Sequence, residues 1–150
     1  INRTGNILEN IMIKLDRKRI IYDRIDQEPY LERYYIFLKE RGDFPFNIFL
    51  HKFLKSDPDD LHDHPWSYST FILSGGYWEH TKTGKKWIGQ FTYKSSEATS
   101  LHRIELDKNN PHCWTLFIPK KKVREWGFQT KDGWVHHTKY LEDKKKSNTT

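Results

Sequence analysis

Apolar and polar positions change rhythm near residue 43 of this 150-residue chain. Before it the pattern leans helical. Ile7, Leu8, Ile11 and Leu15 form a stripe of helical period, although IMIKL and RIIY also read as short strands. In YLERYYIFLKERG, residues 30 to 42, Leu31, Tyr34, Tyr35 and Leu38 share a helical face and Gly42 supplies a stop. After residue 43 the texture is β. FPFNIFLHKFLKSD, WSYSTFIL, YWEHT, WIGQFTYK, LHRIEL, CWTLFIPK, EWGFQT and WVHHTKYL are short aromatic or β-branched runs. Turns such as DPDD, KTGKK, KKKVR and KDG punctuate them. That spacing predicts an all-β sandwich or barrel over 44–142, with a partly helical N-terminal extension, 1–43, packed outside. The two parts make one domain, 1–142.

Composition sharpens this picture in three ways. Hydrophobic residues are only 35% of the chain, but six Trp, eight Tyr and nine Phe let a few large rings bury much area each. A single cysteine, Cys113, excludes an intrachain disulfide scaffold. No apolar run approaches the roughly 20 residues of a membrane helix, and the N-terminus is charged where a signal peptide needs an apolar core. A cytoplasmic protein is therefore expected. The first residue is Ile rather than Met, so an upstream piece is expected too.

Net charge is +6. Residues 143–150, DKKKSNTT, contain no apolar residue and read as a disordered basic tail. The remaining excess is modest and permits an anionic small-molecule ligand without demanding nucleic acid. The basic clusters 17–19 and 120–122 do not change that. The aromatics alternate as core residues should, and the lysine run occupies a turn, so nucleic-acid binding is disfavoured.

The chemistry concentrates in histidines. LHDHPW places His62 and His64 one residue apart. In extended chain both side chains point one way, at roughly 7 Å between Cα atoms, and both can reach one ion. Pro65 marks an edge or bulge. In ATSLHRIEL, His102 shares its face with Ile104 and Leu106, so it faces inward and needs a partner. A metal shared with His62 and His64 would be that partner.

Around this trio, Trp66 and Tyr68 keep the parity of the histidine pair and are candidates to line a ligand pocket. Arg124 and Trp126 share a face, where Arg124 could hold an anionic group beside an aromatic wall. Glu79 is a candidate fourth ligand, although an exposed strand carboxylate is the plainer reading. Asp63 should point away from the metal and orient a neighbour. His51 is expected to be packed between Phe49 and Phe53, and His80 to be exposed. His136 and His137, being neighbours, should face opposite ways, as should His112 and Cys113.

H-x-H, a glycine about a dozen residues on (Gly75 or Gly76) and a later lone histidine resemble the two motifs of the cupin superfamily. The match runs over roughly residues 46 to 140. It implies a double-stranded β-helix, or jelly-roll, barrel that often pairs into homodimers. It departs at the motif's glutamate, where Tyr68 and Ser69 stand. The wording LHDH with LHRIE is similar to that of the cysteine dioxygenase-like thiol dioxygenases, which hold Fe(II) with three histidines and no carboxylate. Three neutral imidazoles leave the ion its full charge for an anionic ligand and O2. That family's thioether cysteine position is Ser69 here, and its substrate-gripping arginine finds only Lys52 and Lys55 on strand 46–55. The wider stretch also resembles small uncharacterised cupins of phage and bacteria. What the resemblance implies is one divalent transition metal on His62, His64 and His102, Fe(II) favoured and Zn, Ni, Cu or Mn also accepted. A metal-dependent enzyme on a small polar or anionic substrate follows, oxygenase-type ahead of isomerase. The alternative is a non-catalytic cupin that binds a sugar or acid.

Overall fold

The computed structural model describes residues 2–58 and 60–149. The chain opens with helix α1 (Asn2–Lys14), then strands β1 (Lys18–Tyr22), β2 (Pro29–Tyr35), β3 (Phe49–Phe53) and the short β4 (Leu61–His62). A long strand, β5 (Tyr68–Thr81), leads to β6 (Gly84–Gly89), β7 (Tyr93–Ser96) and β8 (Arg103–Glu105). Then come β9 (Cys113–Pro119), β10 (Gly127–Thr130), β11 (Gly133–His136) and helix α2 (His137–Thr149). The strands form an eight-stranded sheet whose main path runs β1-β2-β3-β9-β5-β6, with β7 and β8 also on β5. A three-stranded sheet, β11-β10-β4, stands beside it. All pairings between named strands are antiparallel, and the sheets curl into a half-barrel, so the mainly β expectation holds.

β5 is the beam of this fold. Its first half pairs with β9 and β7, its second with β6 and β8. The sequence suggests two strands broken at Gly75-Gly76; the structure instead carries one strand through them, with an irregularity between Ile72 and Ser74. Gly75 has φ +76°, and a Cβ there would stand 1.7 Å from the His112 carbonyl oxygen. Only glycine fits so close a crossing. Behind the beam lies the core: Leu31, Phe53, Ile72, Tyr77, Ile88 and Cys113, with Ile104 and Leu106.

Four expectations are corrected. Residues 29–35 form a strand, not a helix, because their inner face (Leu31, Arg33, Tyr35) pairs with Phe53, His51 and Phe49 of β3. Arg33 on that face disguises the period-2 alternation. The extension 1–43 is consequently not outside the barrel, since β1 and β2 complete its large sheet. α1 does form, yet its stripe residues Ile7, Leu8 and Ile11 are exposed, as is Leu15 just beyond its end, and Met12 is buried instead. Lastly, WVHHTKYL is a strand only to His136. There α2 begins and runs to Thr149 through most of the stretch read as a disordered tail; Thr150 lies outside the described residues. Tyr140 anchors this helix, its ring 3.8 Å from that of Phe128 and its hydroxyl donating to Asp60 at 2.8 Å.

Candidate metal centre and cavity

β4 ends at His62; Asp63 and His64 follow outside any strand and lead into a bend at Pro65. His62 faces His102 across a two-residue bridge, with N–H to carbonyl distances of 2.9 and 3.0 Å in the two directions. The His64 N–H donates to the Ala98 carbonyl at 3.0 Å. These backbone bonds fix three imidazoles in a triangle, each ring centroid 5.0 Å from the other two. One nitrogen from each ring lies within 4.8 Å of the others.

Electrostatics keep the triangle fit for a cation. Burial pushes His62 down to about 4, against the opposing pull of Asp57. His64 lies well below the usual imidazole range, through burial and then through His62 and His102. Both are therefore neutral at pH 7 and carry a lone pair. Their Nδ1 atoms are buried without a hydrogen-bond partner. His102 differs: its Nδ1 lies 2.9 Å from Glu79 Oε2, which assigns the proton to Nδ1 and the lone pair to Nε2. Lys94 pairs with the same carboxylate oxygen. Burial raises Glu79, but His102 and Lys94 outweigh it and hold it down at about 2. Glu79 is thus not an exposed strand carboxylate; it is buried and orients His102. Its parity with buried Tyr77 was the available signal.

The triangle opens on a cavity of about 410 Å³. Trp66, Tyr68 and Trp126 line it. Trp66 stacks on His64 with centroids 5.2 Å apart, and the Tyr68 hydroxyl sits 3.4 Å from both His102 nitrogens. Trp126 approaches His62 at 6.3 Å. Arg124 does not line the cavity. Its guanidinium is held 2.7 Å from Asp63, which also accepts from Gly127 N–H at 2.7 Å and Trp134 Nε1 at 2.9 Å. Asp63 is the structural orienter its position predicted.

Three of the solved structures similar to this one illustrate the likeness. A protein of unknown function with a cupin-like fold from Ralstonia eutropha is 13% identical, with a TM-score of 0.57, over 90% of this chain and 83% of that one. A cupin-2 domain from Rhodospirillum rubrum is 10% identical, with a TM-score of 0.59, over 77% and 78%. The chain has the cupin fold. Fe(II) HppE is 14% identical, with a TM-score of 0.54, over 69% of this chain and 57% of its own length. This chain thus spans little more than half of that protein. No family model and no curated protein matches the sequence.

Sequence reasoning missed the arginines of this cavity. Arg33 and Arg24 both line it, from β2 and the turn before it. Arg33 Nε donates to His51 Nε2 at 3.0 Å and its guanidinium lies 4.4 Å from the Phe49 ring centre. Among the described residues no carboxylate comes within 4.0 Å of Arg33. The cavity's acids are already engaged, Asp57 by Tyr30 and the Ile104 N–H, Asp23 by Lys55 at 3.2 Å. The helical reading of 30 to 42 hid Arg33, because it gave that residue no inward face. His51 is packed as expected, stacked on Phe49 and Phe117, and also reaches the cavity. His80 is half-buried rather than exposed, 3.6 Å from Glu105. Cys113 is buried with its thiol pushed up to about 12 by burial, while His112 bonds Ser74 on the surface, so the two do not form a nucleophile pair.

Proposed function

We propose that this cupin is a metal-dependent enzyme acting on a small polar or anionic substrate, with oxygenase chemistry ahead of isomerase chemistry. The observation that carries the reading is the triangle of imidazoles, two of them neutral by burial, opening onto an aromatic cavity. His62, His64 and His102 would hold one divalent transition metal, Fe(II) favoured and Zn, Ni, Cu or Mn accepted. Once bound, the ion supplies Lewis acidity or, as iron, O2 activation. The rest falls to this chain's own groups. Glu79 keeps the proton on His102 Nδ1. Trp66 and Trp126 exclude water and stack on a planar part of the substrate. The Tyr68 hydroxyl, whose ionisation burial pushes upward, stays protonated as a donor beside the site. Arg33, a half-buried cation with no acid beside it, is a seat for a substrate anion. Fe(II) HppE, alike in fold, supports placing iron first.

The test is elemental analysis of untagged protein beside a His62→Ala/His102→Ala variant, followed by O2-uptake assays of the Fe(II) form with small carboxylates. Near-stoichiometric metal that the variant loses, together with substrate-dependent O2 uptake, is expected. Protein that stays metal-free after reconstitution with Fe(II) and Zn(II) would sink the reading. The aromatic walls also suit a second reading, a non-catalytic cupin holding a sugar or acid. Saturable ligand binding without turnover in the metal-loaded protein would select it.

A further inference from the structure

On the outer side of Trp126 lies a second group of ligating side chains. Glu125 precedes β10, His136 ends β11 and His137 opens α2; one donor atom of each lies within 4.8 Å of the other two. Strand parity would send His136 and His137 apart. The change from strand to helix between them instead brings their rings to 4.4 Å. His136 Nε2 stands 3.2 Å from Glu125 Oε2. Two donors on one tetrahedral ion, with bonds of about 2.0–2.1 Å, are ~3.3 Å apart. Thr138 Oγ1 fixes the other nitrogen of His136 at 2.8 Å, and Lys122 faces the other oxygen of Glu125 at 3.5 Å. His137 Nδ1 is shielded from solvent and has no hydrogen-bond partner. The His137 ring lies flat on Trp126, with centroids 4.6 Å apart and planes 4° apart, and the His137 backbone N–H donates to the Trp126 carbonyl at 3.1 Å.

We propose that Glu125, His136 and His137 form a second divalent-metal site, suited to Zn(II), that braces Trp126 from outside the cavity. Two imidazoles and a carboxylate are a borderline donor set that zinc accepts, and the solvent side leaves room for water. Lys122, and Arg24 at 5.8 Å from the Trp126 ring centre, place positive charge nearby. Their repulsion makes this the weaker of the two sites. Because Trp126 also meets His62, an ion here holds a wall of the cavity without touching its contents.

The test is Zn(II) titration of metal-stripped, untagged protein, read as stoichiometry and tryptophan fluorescence. The proteins are wild type, Glu125→Gln, His136→Ala and His62→Ala/His102→Ala. Glu125 is exposed, so its variant should melt as wild type does. One zinc equivalent should persist in His62→Ala/His102→Ala, with tryptophan emission changing as it binds. That same equivalent should weaken about tenfold or more in Glu125→Gln and His136→Ala. Should the double variant fail to fold, loss of one equivalent from wild type to His136→Ala carries the same information. A folded double variant that takes up no zinc overturns the second site. So do Glu125→Gln and His136→Ala proteins that bind zinc as fully and tightly as wild type. An equivalent lost only with Glu125 and His136, and none with His62 and His102, would retain this site and sink the catalytic reading instead.

Discussion

Glu79 governs a ring it does not replace. Its carboxylate fixes the His102 tautomer and neutralises Lys94, so Glu79→Gln keeps an acceptor but removes the charge that both partners face. Metal affinity at the candidate three-histidine centre should fall about 10- to 100-fold, measured by competition with a chelator. An unchanged affinity would mean that Glu79 serves the fold alone. The same residue shows what a sequence reveals about a site. His62, His64 and His102 were legible because imidazoles are few and their parities agree. Glu79 was legible only by taking its shared parity with Tyr77 seriously, just past a glycine pair. Arg33 was hidden, since its partners on β3 are set by sheet pairing and not by its neighbours in sequence.

Among elements, β5 carries the strictest local demand. Gly75→Ala would drive a Cβ into the His112 carbonyl at a positive φ, in the strand that joins both halves of the large sheet. Such a change should cost about 4 kcal/mol or more. Gly84→Ala also sits at positive φ, +134°, but its Cβ meets open space. It should cost about 1 kcal/mol, leaving a plain difference in urea midpoint between the two variants. Equal midpoints would show that β5 shifts to admit the methyl group. Turn residues and aromatic runs announced most of the strands. The N-terminal part and the C-terminal helix escaped for a common reason: tertiary pairing overrode local pattern. Tyr-rich residues 29–35 satisfy helix and strand periods alike, and β3 decides between them. The tail has almost no apolar face of its own, yet Tyr140 at its base finds Phe128.

For the molecule as a whole, the half-barrel encloses histidines that must stay neutral. His51 is the clearest case away from the candidate metal centre: burial, then the Arg33 charge, holds it well below the usual imidazole range. In the unfolded chain it takes up a proton near pH 6.5; in the folded protein it does so only at lower pH. The unfolded state thus binds more protons in that window. Its contribution to stability is complete above about pH 6.5 and declines as pH falls, by up to about 1.4 kcal/mol per unit. Urea midpoints of metal-free protein should drop from pH 7 to pH 5, less steeply in His51→Gln. Parallel slopes would count against the assignment.

Asp63 sits between the two histidines of the loop and exchanges hydrogen bonds with one residue of β10. Gly127 N–H donates to its carboxylate at 2.7 Å, and its own N–H donates to the Gly127 carbonyl at 3.1 Å. The β10–β11 hairpin and the loop bearing His62 and His64 should therefore open as one cooperative unit. Deuterium uptake at those two amides would report, residue by residue, how often the imidazole triangle comes apart. An ion that binds only the assembled triangle must slow both exchanges by the same factor.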